Sequence, residues 1–261
     1  LIRDFSRHII QIEATCNGGR AQISQTGKNH WQTEARAGQW QICYTVYAYD
    51  LSVRGAYLSN ERGFFDGACL FLSAQGREHE PHQAIFEQLP ESWQTATTLP
   101  RLDTHTFQTA SYAELIDHPV EFGHIEVLSF EAGGIPHRFV VAGAPASFDG
   151  ERLLADAKAI CNTEIRFWHP AGDAPPFGHY VFMLNAVDDG YGGLEHLTST
   201  ALICAQRDLP RMGEPKPAAG YTTLLGLISH EYFRTWNVKR LRPAEFSRYD
   251  YTRENYTELL W

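Results

Sequence analysis

The chain has 261 residues, 43% of them hydrophobic and 20% charged, with a formal net charge of −9. This length buries a sizeable core and leaves room for two domains, and the composition is that of an ordinary globular protein. The acidic balance argues against the phosphate backbone of nucleic acid as a partner, and no apolar run approaches the roughly 18–20 residues that cross a bilayer.

The N-terminus lacks the charged-then-apolar pattern of a signal peptide. The five cysteines, Cys16, Cys43, Cys69, Cys161 and Cys204, are scattered and form no C-x-x-C pair. A thiolate zinc site or redox motif is therefore not expected. They read mainly as reduced core residues of a cytoplasmic chain, with one disulfide left open.

The first part of the chain reads as β-structure. Gln41 to Tyr49 alternates, with bulky or β-branched groups on both faces, which predicts a strand covered on both sides. Further predicted strands are Ala68–Leu72, His124–Phe130 and His137–Ala142, with a short helix at Ser111–Ile116. Residues 1–147 are thus expected to form an all-β, sandwich-like domain, and 148–261 a mixed α and β segment. In the second segment Asp149 is placed to cap a helix from Gly150 to Cys161, with Leu153, Leu154, Ala157 and Ile160 on its apolar face. Strands follow at Tyr180–Val187 and Thr198–Gln206, separated by a glycine-rich bend. After a Pro-rich loop, Leu224, Leu227, Ile228, Tyr232 and Trp236 keep helical spacing over Tyr221–Asn237.

Chemistry concentrates on that last helix, in Ser229-His230-Glu231-Tyr232-Phe233-Arg234. An H-E-x-x-H helix presents two histidines one turn apart to zinc, with the glutamate between them as general base on a metal-bound water. Here His230 and Glu231 are present, but Arg234 occupies the second ligand position. A guanidinium has no lone pair to offer a metal. A His-Glu pair on a helix is common, so this half motif carries little weight alone.

The surrounding sequence carries more. The run from His230 to Pro243, with Trp236-Asn237-Val238-Lys239-Arg240 inside it, resembles the metal-binding helix of the glycyl aminopeptidase family of gluzincin metallopeptidases. Gly190-Tyr191-Gly192-Gly193-Leu194-Glu195-His196 is similar to the family's glycine-rich exopeptidase motif. Asp250-Tyr251-Thr252 and Leu259-Leu260-Trp261 are similar to the approach to its third zinc ligand. Val46–Tyr57 and Gly63–Gly67 look like blocks of its N-terminal β domain.

The resemblance implies an α+β protein: an N-terminal β domain followed by the first part of a thermolysin-like catalytic domain. It implies zinc-dependent removal of small N-terminal residues, such as glycine, from peptides with a free N-terminus. His230 would be the first zinc ligand and Glu231 the general base. Glu195, on an edge strand, would bind the substrate's α-amino group, while Gly192 and Gly193 leave room for the substrate backbone. The third ligand is expected beyond Trp261, in a C-terminal segment of the same catalytic domain. Glu254 and Glu258 lie where a third ligand would be sought but lack its context. His196 is expected to pack or support, and the cations Lys239, Arg240 and Arg242 to complement the helix dipole.

Arg234 leaves several readings open. On one, it fills the metal position with its own charge and pairs with Glu231 or the absent glutamate, leaving a peptide-binding groove without catalysis. Alternatively, it is an artefact in an otherwise active peptidase, or zinc is held by His230 and ligands outside this segment. Serine or cysteine hydrolase chemistry finds no support, since there is no G-x-S-x-G elbow.

Overall fold

The computed structural model describes residues 3–246 and 254–259. The N-terminal part contributes β1 (Ile9–Cys16), β2 (Gly19–Ala21), β3 (Ile23–Gly27), β4 (His30–Thr33), β5 (Trp40–Val46), β6 (Ala56–Leu58) and β7 (Arg62–Phe65). Next come α1 (Gly67–Leu70), β8 (His82–Ile85), β9 (Gln94–Thr97), β10 (Thr106–Thr109), α2 (Tyr112–Leu115) and β11 (Val120–Gly123). The remainder is β12 (Glu126–Ala132), β13 (Ile135–Ala142), α3 (Gly150–Trp168), β14 (Tyr180–Val187), β15 (Tyr191–Glu195), β16 (Ser199–Ala205) and α4 (Ala219–Phe233).

The N-terminal strands form small antiparallel sheets, ordered β2-β1-β5, β3-β4, β10-β8 and β6-β7-β11-β9. The last two enclose a core that includes Phe65, Phe107, Val120 and Phe122. The expected β domain is present, with local differences. β5 is covered on one side only, leaving Gln41, Cys43 and Thr45 exposed, so Cys43 is not a core residue. All five cysteines are free thiols, and Cys16, Cys161 and Cys204 are buried. The predicted strand at Ala68–Leu72 begins instead as helix α1, because the Asp66 carboxylate accepts from the Ala68 N–H and caps a turn.

The second part is organised by a mixed sheet ordered β12-β13-β14-β16-β15. β13, β14 and β16 run parallel, while β12 and β15 are antiparallel to their neighbours. This sheet takes β12 and β13 from before residue 147 and β14 to β16 from after it, so its hydrogen bonding crosses the division that the sequence pattern suggests.

Both faces of the sheet are covered. Tyr180, Phe182, Leu184, Leu202 and Cys204 face a core shared with α3 and α4, including Leu153, Ala157, Leu224, Ile228 and Tyr232. The alternate residues Val181, Met183, Ala201 and Ile203 face the N-terminal part, where Val53 and Phe64 meet them. α3 runs from Gly150 to Trp168, longer than predicted, and the Asp149 cap forms as expected, with its carboxylate accepting from the Arg152 N–H. Among the described residues no helix is long and apolar enough to cross a membrane.

Leu153 is fully buried between α3 and the sheet. Leu153→Ala is expected to cost about 2–5 kcal/mol in urea denaturation, whereas Leu58→Ala, at an exposed position, changes stability by only about 0.5 kcal/mol or less.

Candidate functional site

α4 positions the site by rotation. Tyr232 points into the core, where its hydroxyl donates to His137 Nε2 at 2.9 Å. The other ring nitrogen, His137 Nδ1, donates to the Ile135 carbonyl at 2.8 Å, which leaves Nε2 as the acceptor of a neutral ring. Burial, working against its backbone hydrogen bond, pushes the His137 pKa down to about 4, consistent with that neutral form. Each residue of the helix turns by about 100°. With Tyr232 fixed inward, Glu231 lies buried against the sheet edge and His230 is exposed. The helix ends at Phe233, earlier than the predicted Asn237, and Thr235, Trp236 and Asn237 continue as tight turns on the carbonyls of Tyr232 and Phe233.

β15 is the edge against which Glu231 packs. A Cβ on Gly193 would overlap the Glu231 side chain, so a larger residue there would displace that carboxylate. At Gly192 a Cβ would meet Ile203 at an ordinary 3.6 Å, so the close approach is at the second glycine. The His196 N–H bonds to Ser199 O, and antiparallel ladders alternate. Residues 192 and 194 therefore bond toward β16, while the backbone groups of Gly193 and Glu195 face the open edge.

Arg234, one turn beyond His230, closes the cluster. Its Nη2 donates to Glu195 Oε1 at 2.9 Å, and its Nη1 donates to His230 Nε2 at 3.2 Å. The sequence pattern suggested Glu231 or an absent glutamate as its partner; among the described residues its ion pair is with Glu195, and its charge also favours ionised Glu231. Burial pushes the Glu231 carboxyl up to about 7, and the neighbouring Glu195 charge adds to the rise, while Arg234 and Arg54 oppose it. This leaves Glu231 able to take or release a proton near neutrality. An open depression of about 420 Å³ lies beside His230, Phe233 and Arg234.

Three connections to the N-terminal part escape sequence reasoning. Arg54 Nη2 donates to Gly193 O at 3.2 Å, across 139 residues. Buried His196 lies between two N-terminal carboxylates, with Nε2 3.7 Å from Asp66 and Nδ1 3.7 Å from Asp117. Lys239 pairs with Asp117, and Arg240 donates to the carbonyls of Thr235 and Leu197. These cations follow the end of α4 and also tie it to distant segments of the chain. No local signal marks such pairs, because they exist only once distant segments dock.

Among the described residues the side chains beside His230 do not fit a zinc site: an Arg234 N–H is directed at His230 Nε2, and a guanidinium offers a metal no lone pair. Among the described residues no group of three His, Cys, Asp or Glu side chains has an arrangement that would hold a metal. Glu254 and Glu258 are exposed, and residues 250–252, 260 and 261 of the expected downstream motifs lie outside the described residues.

The site thus lies where an edge strand faces a helix on a mixed sheet covered on both faces. The crystal structure of an aminopeptidase N family protein from Idiomarina loihiensis superposes with a TM-score of 0.94 at 39% identity. That match covers 100% of this chain and 45% of that one, so the chain spans less than half the length of its structural relative. The Peptidase M61 N-terminal domain matches residues 1–124, and the M61 glycyl aminopeptidase family matches residues 223–261. The chain belongs to the M61 glycyl aminopeptidase family. No curated protein matches it.

The raised Glu231 pKa has a testable electrostatic origin. Because its folded value lies above the ordinary carboxylate range, it favours folding most at low pH, and that contribution is lost as pH rises through about 7. In Glu195→Gln the Glu231 pKa is expected to fall, and in Arg234→Met to rise, as read by carboxyl carbon NMR titration.

Proposed function

We propose that this chain is the N-terminal portion of a zinc-dependent aminopeptidase that removes small residues, such as glycine, from peptides with a free N-terminus. In the chain as written, Arg234 suppresses metal binding and leaves a groove that holds a peptide N-terminus without cleaving it. The observation that carries this reading is the Glu195–Arg234 ion pair at 2.9 Å, in which a cationic N–H group occupies the carboxylate proposed to anchor the substrate's α-ammonium.

Each residue has a role that follows from its chemistry. Glu195 supplies an ionised acceptor for a charged amine, which a hydrogen bond to a charged group strengthens relative to a neutral one. The outward backbone groups of Gly193 and Glu195 offer a peptide an added-strand pairing. Glu231, poised near neutrality, has the chemistry of a general base and acid, and in a form with histidine at position 234 it would take a proton from water and pass it to the leaving amine. His230 would be the first zinc ligand, and when bound zinc would supply Lewis-acid activation of that water. With Arg234 at the second position, no such step is assigned to this chain.

Zinc per chain, by elemental analysis on the longest natural form, tests the reading beside an Arg234→His version. The natural form is expected to hold essentially none, and the histidine version about one zinc and measurable release of N-terminal glycine. Stoichiometric zinc in the natural form would show the ligand assignment to be wrong.

A further inference from the structure

The N-terminal part reaches the groove through one exposed cation. Val53 is buried on the sheet face among Val140, Met183 and Ile203, and so anchors the turn that presents Arg54. The turn is closed on itself: Asp50 N–H donates to Ala56 O, Gly55 N–H to Ser52 O, and Asp50 Oδ1 accepts from Ser52 N–H. Arg54 is thus held at the open edge of β15 by an ordered support. One of its five N–H donors is used on the Gly193 carbonyl, and among the described residues its guanidinium makes no other hydrogen bond.

The spacing of charges along this edge is informative. Glu195 and Gly193 both face outward and lie two residues apart, roughly 7 Å at about 3.4 Å per residue. An extended dipeptide spans about the same distance between its terminal nitrogen and its carboxylate. A peptide whose ammonium sits at Glu195 and whose backbone runs toward Gly193 brings its second residue to Arg54. Its N–H groups would also compete for the Gly193 carbonyl, releasing the guanidinium toward a carboxylate, the anion its planar fork fits best.

We propose that Arg54 forms a cationic subsite for the C-terminal carboxylate of very short peptides, so that the groove favours dipeptides with both ends free. This rests on the reading of Glu195 as the amine anchor. The subsite is contributed by the N-terminal part to a groove in the catalytic part, and Arg54 acts on the substrate directly.

The test is NMR titration of the longest natural form with Gly-Gly, its C-terminal amide and its N-acetyl derivative, repeated in Arg54→Met, Arg54→Lys and Glu195→Gln. The free dipeptide is expected to bind about tenfold or more tightly than the amide, the scale of one charge-assisted hydrogen bond. Arg54→Met brings that ratio to about one while the acetyl derivative still fails to bind, and Arg54→Lys keeps part of the ratio. Arg54 is exposed, so its replacement leaves the fold intact, which an unchanged thermal melt verifies. An undiminished acid-to-amide ratio in Arg54→Met overturns the subsite alone. If acetylation and Glu195→Gln both leave binding unchanged, or none of the peptides binds, the amine-anchor reading falls and the subsite with it.

Discussion

The structure depends on burying both faces of one mixed sheet. β14 and β16 are buried almost along their whole lengths, and their alternate residues serve two different cores. One face requires α3 and α4; the other requires the N-terminal part, with Val53 and Phe64 pressed onto Val140, Val181 and Met183. A parallel core of this kind needs cover on both sides, which is why its strands read as continuous apolar runs. Everything at the site follows from where these covers end. β15, the last strand, keeps one open edge between the helix layer and the N-terminal part, and Glu195, Gly193, Glu231 and Arg54 meet along it.

Charge balance within that meeting place is unusual. Burial disfavours ionisation of Glu231, and the neighbouring Glu195 charge disfavours it further. Arg234 offsets this by pairing with Glu195, and Arg54 contributes from the other side. A histidine at position 234 would remove a permanent cation and place a lone pair on the same helix face as His230. Arg234→His would therefore act twice, on the lone pairs this helix face presents and on the partner of the Glu195 carboxylate. The remaining architecture is compatible with either residue, because position 234 follows the last turn of α4 and is only half-buried.

The N-terminal part is more than a cover. Asp66 and Asp117 flank His196, the residue next to Glu195, while Lys239 neutralises Asp117 from the segment after α4. Burial raises the Asp66 pKa, whereas for Asp117 it is outweighed by His196 and Lys239, which hold that carboxyl below its ordinary value. Two neighbouring carboxyls are thus driven in opposite directions by their surroundings. The same docking surface delivers Arg54 to Gly193, so the position of the edge strand and the alignment of the two parts are one structural fact.

The sequence by itself determined the elements whose causes are local. Helical spacing located α4 and its inward face, the Asp149 cap set the start of α3, and the apolar run of β14 gave its limits without error. The glycine-rich motif and the His230–Arg240 block were also legible, and with them the family. Local signals misled where chain-distant packing decided the outcome. They did not reveal that β5 is covered on one side only, that β12 and β13 complete the sheet of the second part, or that Arg234 turns to Glu195. The contacts of Arg54 with Gly193 and of Lys239 with Asp117 span 139 and 122 residues. Periodicity and capping act within a few turns of chain, whereas these pairs form only when the two faces of the sheet are closed, so tertiary structure alone decided them.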